Sequence, residues 1–217
     1  MFKRRDSRNW LKIVADFFYP RGGWTRAASY VAHRLRRLPD SPHKISRGIA
    51  AGVFVSFTPF FGFHFVLAAM VAAALRGNIL ASLLATFFGN PLTFPVIATV
   101  SLEVGNTLMG RTAVLPVRDT VRAFGDASVE LWRNLKALFT MDTPHWESLG
   151  GFFDSVFLPY LLGGLLPGLA AGIAAYFLSQ PVIAAYQAHR RKKLRKKWEE
   201  MRAITAPKKA DGPDGAA

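Results

Sequence analysis

Five polar side chains sit in or beside otherwise apolar sequence: Thr58, His64, Asn78, Asn90 and Thr93. Residues that interrupt helices accompany them, Pro59 and Gly62 in one place and Pro91 in another. A proline removes a backbone donor and pushes the preceding residue out of the helical region. Hydroxyl, imidazole and amide groups beside freed helix ends could bind an ion or a polar solute, as broken helices do in transporters. They could equally cap the broken ends and do nothing else. Both readings stand at the level of sequence.

Catalysis is not what the residues suggest. The chain has no cysteine, so thiol nucleophiles, thiolate metal sites and disulfides are excluded. His33, His43, His64, His145 and His189 are scattered, and none has a second histidine three to five residues away. The phosphate-binding loop, the serine nucleophile elbow, the zinc-protease helix and the EF-hand spacing are all missing from the sequence. We expect no enzyme activity, no catalytic residue, no metal and no cofactor.

The elements that must position these groups are long apolar runs. Residues 48–75, 77–102 and 155–188 each contain no charged side chain. Each is long enough to cross a hydrocarbon core of about 30 Å as a helix. None reads as a clean helix. The first carries the Thr58-to-His64 break and the second the Asn90-to-Pro95 break, while Pro159, Pro167 and Pro181 punctuate the third. In lipid, irregular backbone must be buried in protein or face water. Packed kinks or re-entrant hairpins are therefore expected. Small residues recur four apart at Gly48 and Gly52, and again at Gly164, Gly168 and Gly172, which would let helix backbones approach closely.

Charge supplies the orientation. The formal net charge is +14, and the cations gather at the two ends of the chain. Residues 1–47 hold twelve Lys or Arg and three acids, and residues 187–217 hold ten and four. Positive-inside counting places both ends in the cytoplasm and demands an even number of crossings. The first run is then the one that returns to its own side, because Arg47 and Arg76 bracket it. The alternative is a hairpin in the third run.

Three regions follow. Residues 1–44 form a basic amphipathic region, whose Trp10, Phe17 and Phe18 would enter a membrane surface while Arg4 and Arg5 meet anionic headgroups. Residues 45–188 form the membrane domain, including a polar amphipathic segment over 103–154. Residues 189–217 form a basic, partly disordered tail. The fold class expected is an all-α integral membrane protein with broken or re-entrant helices and basic interfacial helices at the N-terminus. Expected partners are the bilayer, its anionic headgroups, and further copies of the chain or other membrane proteins. Nucleic acid is not expected, because positive-inside topology already accounts for the basic ends.

Four stretches resemble a known family when taken together. They are Gly48 to Gly52, Thr58-Pro59-Phe60-Phe61-Gly62-Phe63-His64, Arg76-Gly77-Asn78, and Gly89-Asn90-Pro91-Leu92-Thr93-Phe94-Pro95. They resemble the bacterial membrane family called domain of unknown function 2062, over about residues 20–186. The resemblance implies a bacterial inner-membrane location and no established activity. Some relatives carry the domain beside a glycosyltransferase, but no DxD metal element occurs here, so that activity is not carried over. The functional expectation is small-solute or lipid handling through a polar site at the broken helices. The alternative is a non-catalytic membrane scaffold or interaction protein.

Overall fold

The computed structural model describes residues 23–111, 116–137, 139, 140, 143 and 145–205. Every described element is helical: α1 (Gly23–Arg36), α2 (Pro42–Val55), α3 (His64–Ala74), α4 (Ile79–Ala85), α5 (Phe94–Leu108), α6 (Val117–Ala137), α7 (Glu147–Phe152) and α8 (Leu158–Thr205). A 3-10 turn, Thr86–Phe88, extends α4, and a π turn, Phe153–Phe157, joins α7 to α8. The all-α expectation is met. Arg4, Arg5, Trp10, Phe17 and Phe18 lie outside the described residues, as does the chain beyond Thr205.

Local chemistry sets the helix ends. Pro42 opens α2 behind Ser41, whose side chain accepts from the Lys44 N–H, a normal N-cap arrangement. Pro59 has no N–H to offer the Val55 carbonyl, which accepts from the Thr58 N–H at 2.9 Å instead, and α2 ends at Val55. Asn78 caps α4, its side-chain oxygen accepting from the Ala81 N–H at 2.6 Å.

α2 and α8 lie antiparallel along most of the molecule. Gln187 Nε2 donates to the Asp40 carbonyl at 2.9 Å, and Ser179 Oγ donates to Ser46 Oγ at 3.0 Å. Farther along, Gly172 faces the Ala50 carbonyl and Gly164 faces the Phe57 carbonyl. Gly164 and Gln187 are 23 residues apart, which is about 35 Å of helix.

The first run turns back on itself. Arg47 donates to the Leu75 carbonyl at 3.1 Å, and the Asn78 N–H donates to the Lys44 carbonyl at 2.8 Å. Residues 47 and 76 thus share one end of the bundle. α4 then runs beside α2 in the same direction, and α5 continues beyond the second break to the opposite end. There Gly105 packs against the Pro159 backbone. The second run is therefore one broken passage, and α8 returns from that far end.

Two sequence expectations need correction. Only Glu147–Arg202, among the described residues, is a helix long and apolar enough to cross a membrane, whereas three such runs were expected. The other apolar helices, His64–Ala74, Ile79–Phe88 and Phe94–Leu108, are shorter because the proline-containing turns divide their runs. The third run, conversely, is not broken: α8 continues through Pro167 and Pro181. Each proline forfeits one backbone hydrogen bond, and packing of α8 against both α2 and α5 offsets that loss. The hairpin considered for the third run is absent.

Around the apolar core formed by Ile45, Ile49, Val53, Phe57, Ile97 and Ile183, small polar side chains are also buried while many large apolar ones face outward. Ser46, Ser56, Thr58, Ser82, Thr86, Ser101 and Asn106 are buried. Phe63, Phe65, Met70, Phe87, Leu92, Val96, Leu166, Phe177 and Leu178 are exposed.

Candidate functional site

The two breaks lie side by side, and each is closed by its own hydrogen bonds. In the first, Thr58 Oγ1 donates to the Val55 carbonyl at 2.7 Å. His64 Nε2 lies 3.0 Å from the Thr58 carbonyl. A carbonyl only accepts, so this contact assigns the proton to Nε2. Between them the chain reverses at Phe60–Phe63, where the Phe63 N–H donates to the Phe60 carbonyl at 3.0 Å. Gly62 adopts φ +86° there, which disfavours any side chain.

The second break is an asparagine–threonine turn. Asn90 Oδ1 accepts from the N–H groups of Leu92 and Thr93, at 2.9 and 3.2 Å. Its Nδ2 donates to the Phe87 carbonyl at 3.2 Å, a group the broken helix leaves free. Thr93 Oγ1 accepts from the Asn90 N–H and donates to the Phe88 carbonyl. Pro91 sits inside this ring of bonds and needs no donor of its own.

Contact between the breaks is made by other residues. Ser56 Oγ lies 3.0 Å from the Gly52 carbonyl and 3.3 Å from the Thr86 carbonyl, so one hydroxyl proton is shared between α2 and the turn after α4. A Cβ on Gly89 would come within 3.1 Å of Ser56 Cβ. Phe57 stacks on Phe88, and Phe61 meets Phe94 edge-on at 5.1 Å. The hydrogen bonds of Thr58 and His64 described above stay within the first break, and those of Asn90 and Thr93 stay within the second.

Asn78 is elsewhere. It sits at the end of the bundle shared by residues 47 and 76, where its Nδ2 donates to Asp40 Oδ2 at 2.5 Å. Lys44 Nζ meets the other Asp40 oxygen at 3.0 Å. The Asn78 amide, and then the Lys44 ammonium, hold the Asp40 carboxyl below the usual carboxylate range. This clamp ties α2, α4 and α8 together at one end.

The glycine stripes lie at backbone contacts. A Cβ on Gly48 would strike the Asn78 carbonyl, and one on Gly52 would strike the Ser82 carbonyl. Gly164 has the same relation to the Phe57 carbonyl, and Gly168 approaches Phe57 Cβ at 2.9 Å. Gly172 is less crowded, at 3.0 Å from the Ala50 carbonyl.

Sequence reasoning passed over two groups. Ser101 Oγ and Tyr160 OH are fully buried and have no hydrogen-bond partner among the described residues. Each lies in an apolar run, the same signal that singled out His64. Among the described residues, no three His, Asp or Glu side chains converge as metal ligands.

No curated protein and no solved structure matches the chain. One family model does, and it covers most of the sequence, breaks and glycine stripes included. Over residues 25–192 the chain matches, and so belongs to, the family described as uncharacterized protein conserved in bacteria, DUF2062.

Proposed function

We propose that this protein is an integral, multi-pass component of the bacterial inner membrane, and that its paired breaks form a packed joint within a non-catalytic scaffold. The outward-facing apolar surface of α8 carries the reading. On α8 the exposed side chains Leu162, Leu165, Leu166, Leu169, Ile173 and Phe177 recur at helical spacing. A soluble helix turns such a stripe inward. Here the inward side holds Gly164, Gly168 and Gly172, as small residues do between helices in lipid. From Pro159 to Gln187 is 28 residues, about 42 Å of helix, which suffices for a hydrocarbon core of roughly 30 Å.

Charge orients the reading. The cations of α1 and those following Gln187 lie toward the end where residues 47 and 76 meet, so that end is cytoplasmic. The α2–α3 hairpin enters and returns, α4 and α5 pass outward together, and α8 passes back. The joint favours a scaffold because its polar groups are paired within each break and its inter-break contact is mainly aromatic and small.

Solute or lipid handling is the second reading. The unpaired Ser101 and Tyr160 hydroxyls favour it, since buried groups of this kind are ready to meet a polar ligand. Alkaline carbonate extraction tests the membrane reading: the protein should stay in the pellet, and recovery in the soluble fraction would end it. Flux measurements separate the two functions. Proteoliposomes should leak ions, polar solutes and labelled lipid no faster than empty vesicles. Faster flux that Ser101→Ala or Tyr160→Phe suppresses would favour handling instead.

A further inference from the structure

α6 divides its circumference into three sectors rather than two. At about 100° per residue, Thr120, Ala123, Phe124, Ala127, Glu130 and Asn134 fall on one side, and all are buried or half-buried against the protein. Glu130 Oε2 accepts from the Leu149 N–H of α7 at 2.5 Å, and the Asn134 side chain bonds both the N–H and the carbonyl of His145. The polar side of the helix is thus part of what holds it to the protein. A second sector carries the exposed side chains Val121, Ser128 and Leu135, with exposed Trp132 at its edge toward the charged sector, and Phe139 continues it; exposed Leu131 falls within the first sector, between Thr120 and Phe124. The third carries Arg118, Arg122, Asp126, Arg133 and Lys136, all exposed, with Val129 the apolar exception.

We infer that α6 lies flat in the membrane–water interface on the side opposite the Asp40–Asn78 clamp, with its Val121–Leu135 sector inserted among lipid chains. This rests on the membrane reading above. Three sectors suit a helix that touches three media at once: protein, lipid and water. Its level in the molecule agrees. Phe124 packs on Phe61, and Phe61 packs on Tyr160, two residues before the exposed apolar stripe of α8 begins at Leu162. That is where the hydrocarbon boundary falls. Trp132 lies between the apolar and charged sectors, with Lys136 Nζ 5.5 Å from its ring centroid, a pairing that suits a headgroup zone.

The test uses the full chain in lipid vesicles, with a nitroxide on a single introduced cysteine. Accessibility to oxygen, which concentrates in lipid, is compared with accessibility to a water-soluble nickel complex. Leu135→Cys should favour oxygen, Arg122→Cys should favour nickel, and Phe177→Cys on α8 should favour oxygen as the reference for lipid. If Leu135→Cys does not fold, Val121→Cys reports the same sector. Oxygen preference at Phe177→Cys with nickel preference at Leu135→Cys would overturn the placement of α6 and leave the membrane reading standing. Nickel preference at both would overturn both. Shielding of Leu135→Cys from both reagents would mean that a second copy or another protein covers the sector, and would also overturn the inference.

Discussion

Between α2 and α8 the backbones themselves touch, and Gly164 and Gly168 leave no room for a side chain against Phe57. In the α6–α7 hairpin, Gly125, Gly150 and Gly151 have nothing within 4 Å of where a Cβ would stand. Side chains hold that hairpin instead: the carboxylate of Glu130, the amide of Asn134 and the ring of Phe124. The first region is cemented by close packing of backbone on backbone. The second is cemented by directional bonds and one aromatic plug. It should therefore loosen piece by piece, while the bundle fails as a whole.

Adding volume is the harshest way to probe that difference. Gly164→Leu should cost more than about 3 kcal/mol and prevent folding, since the group in its way is the Phe57 carbonyl, which is backbone and cannot swing aside. Gly125→Leu should stay within about 0.5 kcal/mol. Thermal unfolding in detergent reads both, and equal effects would erase the contrast. Phe124→Ala comes next, at about 2 kcal/mol for a half-buried ring. It should expose α6 and α7 to protease while the unfolding temperature of the bundle barely moves. A parallel loss of the bundle would show that the two regions are one unit.

The joint gives a smaller effect. Asn90→Leu removes the four side-chain bonds of Asn90 within the second break and should lower stability by roughly 0.6–2 kcal/mol. Leu92→Ala, on a side chain facing outward, should do less. Equal losses would mean that the turn is held by packing alone. The smallest effect concerns pH. Asp40 has a depressed pKa in the folded protein, so its stabilisation is complete above the ordinary carboxylate value of about 3.9 and fades as pH falls through the lower folded value. The stability gap between the native chain and Asp40→Ala should thus be constant from pH 7 to pH 5 and narrow only in stronger acid. A gap that closes near pH 6 would assign it to another group.

Much of this layout was legible in the sequence because prolines act locally. Pro59 and Pro91 end helices at turns whose bonds span six residues or fewer, and the spacing of Asn90 and Thr93 already implies that turn. The ends of the first run, at Arg47 and Leu75, meet in the structure, and the two arginines that bracket it mark those ends in the sequence. Partnerships distant in sequence were not legible. Asn78 pairs with Asp40, 38 positions away, so it joins the end clamp rather than the breaks. Pro167 and Pro181 stay helical because α2 and α5 pack along α8, which no local rule records. Periodicity marked α6 as amphipathic, but only the structure places its polar Glu130 and Asn134 toward the protein.

Accessibility of single cysteines in intact membranes tests the proposed placement most directly, and the cysteine-free chain gives no background. A membrane-impermeant reagent should label Arg76→Cys only from the cytoplasmic side and Arg122→Cys only from the opposite side. Labelling of Arg76→Cys from outside would mean that the first run crosses the membrane fully, and would contradict the account.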